Sequence, residues 1–81
     1  MKIELYQELP GISQHFMVQN SGVLLKIITR EPFDFVLYGI HNFYVEIIYR
    51  KATHKVFALN AFTMDDVKLD FYLQSIEIKI R

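Results

Sequence analysis

Phe43-Tyr44-Val45-Glu46-Ile47-Ile48-Tyr49-Arg50, followed by a polar bridge from Lys51 to Lys55 and an apolar run from Val56 to Phe62, decides the architecture of this chain. Phe43, Val45, Ile47 and Tyr49 fall on one parity and Tyr44, Glu46, Ile48 and Arg50 on the other, the two-residue period of a strand with apolar groups on both faces. The bridge has the length of a hairpin loop, so the segment predicts two antiparallel strands. A helix is expected next. Thr63 with Asp66 three residues on approximates a capping box, and Asp65 and Asp66 suit the positive end of a helix dipole. Leu69, Tyr72, Leu73 and Ile76 then recur at spacings of three and four, one apolar stripe for packing on a sheet.

Working outward from this unit, Ile76, Ile78 and Ile80 alternate with Glu77, Lys79 and Arg81, which predicts a closing strand at a sheet edge. Upstream, Phe33, Phe35 and Leu37 oppose Asp34, Val36 and Tyr38, and Val23 to Arg30 is rich in β-branched residues with apolar groups on both parities, the pattern of a central strand. Glu31-Pro32 separates these two strands, and Gly39 to Asn42 is the next turn. Asn20-Ser21-Gly22 predicts a hairpin turn, because Asn and Gly tolerate positive φ. Lys2 to Leu9 alternates, with Ile3, Leu5 and Leu9 on one side, as a half-buried strand would, and Pro10-Gly11 ends it. Ile12 to Gln19 is ambiguous: Ile12 and Phe16 fit a helical step of four, Phe16 and Val18 a strand, and the strand is favoured. The expected fold is one α+β domain over residues 1–81. It has a mostly antiparallel sheet of five to six strands and one helix near residues 64–75 packed on one face.

Phe43-Tyr44-Val45-Glu46-Ile47, Ala61-Phe62, Leu69-Asp70-Phe71-Tyr72-Leu73 and Ile76-Glu77-Ile78 together resemble a set of short bacterial proteins of no known activity. Their shared pattern is Tyr-Val-Glu-Val, an Ala-Phe or Ser-Phe pair, Leu-Glu-Pro-Tyr-Leu and Ile-Asp-Leu. The likeness covers residues 43–78 and implies the same local fold and a bacterial source. Arg50 stands where those proteins commonly carry an acid, and Phe71 where they carry a proline. The second difference favours an unbroken helix, since a proline there would remove a hydrogen bond.

Eighty-one residues allow a single small domain. With 52% hydrophobic residues, seven Phe and five Tyr, the chain carries more apolar mass than its few fully buried positions can hold, which points to a homo-oligomer or a protein partner. Nine basic and nine acidic residues give no overall field towards nucleic acid or an anionic membrane. Cysteine is absent, so thiolate chemistry and Cys-based zinc sites are excluded. The opening Met1 to Tyr6 lacks the pattern of a signal peptide, and the apolar runs fall short of a membrane span, so a cytoplasmic product without membrane contact is expected.

No motif carries catalysis. Glu46 interrupts an apolar strand and is either a partly buried acid with a raised pKa or a solvent-facing residue paired with a neighbouring cation, the second being the commoner case. His15, His41 and His54 stand on separate turns or strand ends, without metal-ligand spacing, so no metal or cofactor is expected. Asp66 and Asp70, one helical turn apart, are explained by the helix dipole and by solvation. Tyr38, Tyr44, Glu46 and Ile48 are the candidates for an uncovered sheet face that meets a partner. Arg50, Lys51, His54 and Lys55 at the hairpin tip, flanked by Tyr49 and Phe57, are the candidates for nucleic-acid contact. A non-enzymatic interaction protein, of an accessory, immunity or antitoxin-like kind, is the expected class, with a nucleic-acid-binding module as the alternative.

Overall fold

Four of the expected strands form, and they form one antiparallel meander: β1 (Val23–Arg30), β2 (Phe33–Ile40), β3 (Phe43–Arg50) and β4 (Lys55–Phe62), in spatial order β1-β2-β3-β4. They belong to a computed structural model that describes residues 1–74. Two helices precede the sheet, α1 (Ile3–Gln7) and α2 (Gly11–Ser21), and α3 (Lys68–Gln74) follows it. The chain is therefore α+β, and the described residues form a four-stranded antiparallel sheet and three short helices, where the sequence predicts five to six strands and a single helix. The strand expected at Ile76 to Ile80 lies outside the described residues.

The expected strand at Lys2 to Leu9 is a helix because of Tyr6. Ile3, Tyr6 and Leu9 recur every three residues, and all three join the larger core, whereas Leu5, the residue that completes the alternation, is 56% exposed. Tyr6 is fully buried, packs 5.3 Å from the Phe43 ring and donates its hydroxyl hydrogen to the Gln14 carbonyl at 2.9 Å. Gln14 returns the link, its amide donating to the carbonyls of Gln7 and Leu9 at 3.3 and 2.8 Å, near the otherwise open end of α1. Pro10-Gly11 thus separates two helices instead of ending a strand.

Residues 12–19 are helical as well. The step of four between Ile12 and Phe16 is real but faces outward, 82% and 67% exposed, while Val18 is fully buried and Met17 packs beside it. Asn20-Ser21-Gly22 ends α2 without forming a hairpin turn. Gly22 keeps φ at −82° and donates its N–H to the Val18 carbonyl at 2.9 Å; a Cβ there would sit 2.7 Å from that same oxygen. Close approach, not positive φ, demands glycine at this point. The positive φ values fall on His41 (54°) and His54 (61°), in the two hairpin loops that flank β3.

Direct pairing places Val36, Ile47 and Leu59 on one face, together with Tyr38, Val45 and Ala61. This face lies under α1 and α2, and Tyr6, Val18, Ile40, Phe43, Val45 and Ile47 form its core. The opposite face carries Ile28, Leu37 and Phe62, covered by Tyr72 of α3. Both faces of β3 are therefore roofed, and each fully buried large side chain contributes about 1.5–3 kcal/mol.

Two outcomes are expected. Gly22→Ala should cost about 1–3 kcal/mol in urea unfolding, because the atom its Cβ meets is a backbone carbonyl that cannot rotate away; full stability would show that the end of α2 can shift freely. Burial pushes the Tyr6 hydroxyl up to about 12 from 10.0. The native state then keeps a proton that the unfolded chain releases, so stability should hold below about pH 10 and decline from there towards about pH 12. Tyr6→Phe should flatten part of that decline in a pH series of thermal melts.

Candidate functional site

Glu46 sits at the centre of β3 on the α3 face and is buried, with 6% of its surface exposed. The solvent-facing position expected as the commoner case is not the one found. Its carboxylate accepts a hydrogen bond from Asn60 Nδ2 at 3.0 Å on Oε1 and another from the Tyr72 hydroxyl at 2.7 Å on Oε2. Among the described residues the one ion pair joins Lys51 to Glu31, and no cation lies within 4 Å of Glu46. The Tyr72 hydroxyl is held well above the usual tyrosine range, first by burial and then by its bond to Glu46 and the charge it carries.

Strand register explains why Asn60 is the partner. Arg50 opposes Lys55 and Tyr49 opposes Val56, but a bulge then shifts the ladder so that Ile48 opposes Ala58 and Glu46 opposes Asn60. Tyr72 reaches the same point because α3 crosses this face. Asp66 starts the helix, its Oδ1 accepting the Lys68 N–H at 2.9 Å, so the acid acts as an N-terminal cap and not as the third residue of a Thr63 capping box. Over Glu46 opens a cleft of about 290 Å³ lined by Arg30, Phe35, Glu46, Lys68 and Phe71. The Phe35 and Phe71 rings meet edge to face at 5.3 Å, and the Arg30 guanidinium lies 5.2 Å above Phe71.

The four partner candidates do not share one free face. Tyr44 is half-buried and stacked on Phe62 at 5.8 Å, Glu46 is roofed by Tyr72, and Ile48 follows on the same side. Tyr38 lies on the opposite face, where its hydroxyl accepts from Gln19 at 3.3 Å. Gln19 also reaches the Tyr49 hydroxyl at 3.5 Å, and His15 Nε2 lies 3.3 Å from that oxygen. Burial raises the Tyr49 hydroxyl pKa, the neighbouring Tyr38 adds to the shift, and the Gln19 bond opposes it. This polar seam docks α2 on the sheet. Among the described residues no carboxylate bonds to His15.

At the hairpin tip, the strongest cations already have partners. Arg50 lies over the rings of Phe33 and Phe57 at 5.4 and 5.5 Å, and Lys51 bonds Glu31 at 2.6 Å, which raises its pKa through that bond first and then the carboxylate charge. His54 and Lys55 remain exposed. Among the described residues no group of three His, Asp or Glu side chains is placed to hold a metal ion, and no helix is long and apolar enough to cross a membrane.

What the alternation of single strands does not disclose is the edge. Among the described residues β1 pairs only with β2, and Val23, Leu24, Leu25 and Ile27 are each 50–63% exposed. Apolar groups on both parities of Val23 to Arg30 are the pattern of a central strand, so the sequence places in the middle of the sheet a strand that has one neighbour here. Asn60, Arg30, Phe35, Lys68 and Phe71 also go unnoticed in sequence; an Asn within the apolar run Val56 to Phe62 is the one hint of a polar partner for Glu46. The chain matches no family model, and neither a curated protein nor a solved structure is found similar to it.

Tyr72→Phe should cost about 1.5–3 kcal/mol at neutral pH, the usual loss for a hydrogen bond to a charged group. Chemical denaturation would measure it, and a cycle with Glu46→Gln should show the two changes to be non-additive. Independent effects would mean that the hydroxyl and the carboxylate do not act as a pair.

Proposed function

We propose that this chain is a small non-enzymatic interaction protein that pairs through its β1 edge with a second copy of itself. The observation that carries this reading is the row Val23, Leu24, Leu25 and Ile27, each at least half exposed on a strand with one neighbour among the described residues. Such an edge offers unpaired backbone groups and apolar side chains together, which is the usual template for strand addition. The other edge is less open, since the Gln7 amide of α1 donates to the Ala61 carbonyl of β4 at 3.3 Å.

Self-pairing suits the side chains of β1. Its bulge at Leu25 leaves Leu24 and Ile27 on the α1–α2 face, with Lys26 and Ile28 on the other. An antiparallel match that sets Leu24 against Ile27 of the second copy keeps like faces together and puts Lys26 opposite leucine instead of opposite lysine. Two copies would then share one continuous sheet. Contact with nucleic acid through Arg50, Lys51, His54 and Lys55 has less support, because aromatic rings and Glu31 hold the first two.

Size-exclusion chromatography with light scattering tests the proposal. The chain should elute as a dimer, and Ile27→Lys, which alters a residue already in solvent, should give a monomer with an unchanged circular dichroism spectrum. A parent chain that stays monomeric at high concentration would refute it.

A further inference from the structure

We propose that the cleft over Glu46 binds a small zwitterion, a molecule with an ammonium group and an acidic group on an apolar body, in the manner of a free amino acid. The floor of the cleft is an acceptor. An ionised carboxylate has about four lone-pair sites, and Asn60 and Tyr72 fill two of them with neutral donors. Those donors orient Glu46 without cancelling its charge, and among the described residues no cation lies within 4 Å to do so. A ligand ammonium supplies a countercharge in direct contact with the carboxylate and further hydrogen bonds.

The walls and lining suit the rest of such a molecule. Phe35 and Phe71 give the cleft an aromatic, apolar lining that suits an apolar body. Lys68 and Arg30, the latter lying 5.2 Å over the Phe71 ring, border the same cleft and set two positive charges beside it, which suits an acid. A plain amine would meet those cations, and a plain acid would meet Glu46. One molecule that carries both charges satisfies both ends. The volume of about 290 Å³ is at the small end of ligand pockets, which suits an amino-acid-sized compound and not a nucleotide.

Titration of the full chain followed by two-dimensional NMR tests the assignment, with L-phenylalanine, L-leucine and ε-aminocaproate as zwitterions. Phenethylamine and hydrocinnamate serve as probes with one charge each. At least one zwitterion should shift the signals of Phe35, Glu46, Phe71 and Tyr72 saturably. It should bind at least about tenfold more tightly than either singly charged probe, the factor that corresponds to one modest charge contact. Glu46→Gln should abolish the shifts. Should that variant fail to fold, Arg30→Gln and Lys68→Gln decide the matter, because each should weaken the zwitterion and leave phenethylamine unweakened. No saturable shift with any zwitterion at about 10 mM, where even a millimolar site is mostly filled, would overturn the proposal. Equal binding of the amine alone, or unchanged zwitterion binding in both surface variants, would overturn it too.

Discussion

The structure depends on β3 being covered on both faces. A strand sends alternate side chains to opposite sides, so a doubly roofed strand must supply two different surfaces from one run of eight residues. Phe43, Val45 and Ile47 meet the first requirement and hold α1 and α2 through Tyr6 and Val18. The second side is mixed, since Tyr44 stacks on Phe62 while Glu46, with 6% of its surface exposed, must find hydrogen-bond partners within the protein. Asn60 and Tyr72 supply them, and this ties the neighbouring strand and the last helix to one carboxylate. The loop-to-helix start at Asp66 and the β4 bulge both serve that arrangement, because each brings a donor to Glu46.

A domain of this size cannot bury all of its apolar side chains, and their distribution is uneven. The centre of the sheet is closed, but β1 and the outer side of α2 carry the surplus: Val23, Leu24, Leu25 and Ile27 on one, Ile12 and Phe16 on the other. The two places differ in kind. Ile12 and Phe16 offer a shallow apolar groove without directional groups, whereas β1 adds an open backbone edge. Backbone hydrogen bonding gives β1 a register, and with it a defined partner geometry, which apolar contact alone does not provide.

The strands between Val23 and Phe62 were legible because period two persists through each of them and polar or proline-containing links interrupt it. The two N-terminal helices were not. Leu5 imitates alternation in α1, and the apolar pair Ile12 and Phe16 lies on the exposed side of α2, so neither pattern marks the buried face. Tyr6 decides both, through a hydroxyl bond to Gln14 eight residues away that no periodicity displays. Glu46 stood out as an acid within an apolar strand, but its partners were hidden by the bulge. Had the ladder continued unshifted from Arg50 opposite Lys55, Glu46 would have met Leu59 and Asn60 would have pointed to the other face. Turn chemistry misled at glycine for a similar reason, since the left-handed positions fell to His41 and His54 and close packing claimed Gly22.

β1 connects the two surfaces to which a role is assigned. Val23, Leu24, Leu25 and Ile27 are exposed on it, while Ile28 packs under α3 with Tyr72 and Arg30 lines the cleft over Glu46. A strand added to β1 would restrain the backbone that carries Arg30, and an acid held by Arg30 would in turn restrain the end of β1. Binding at either place therefore removes freedom that binding at the other must also remove. If both proposals hold, whichever ligand binds second would meet a lower ordering cost, so edge pairing and cleft occupancy would be coupled in the same direction, and by reciprocity with equal strength. The coupling needs no change of fold. It follows from one strand serving as the outer edge of the sheet and as part of the lining of its central charged site.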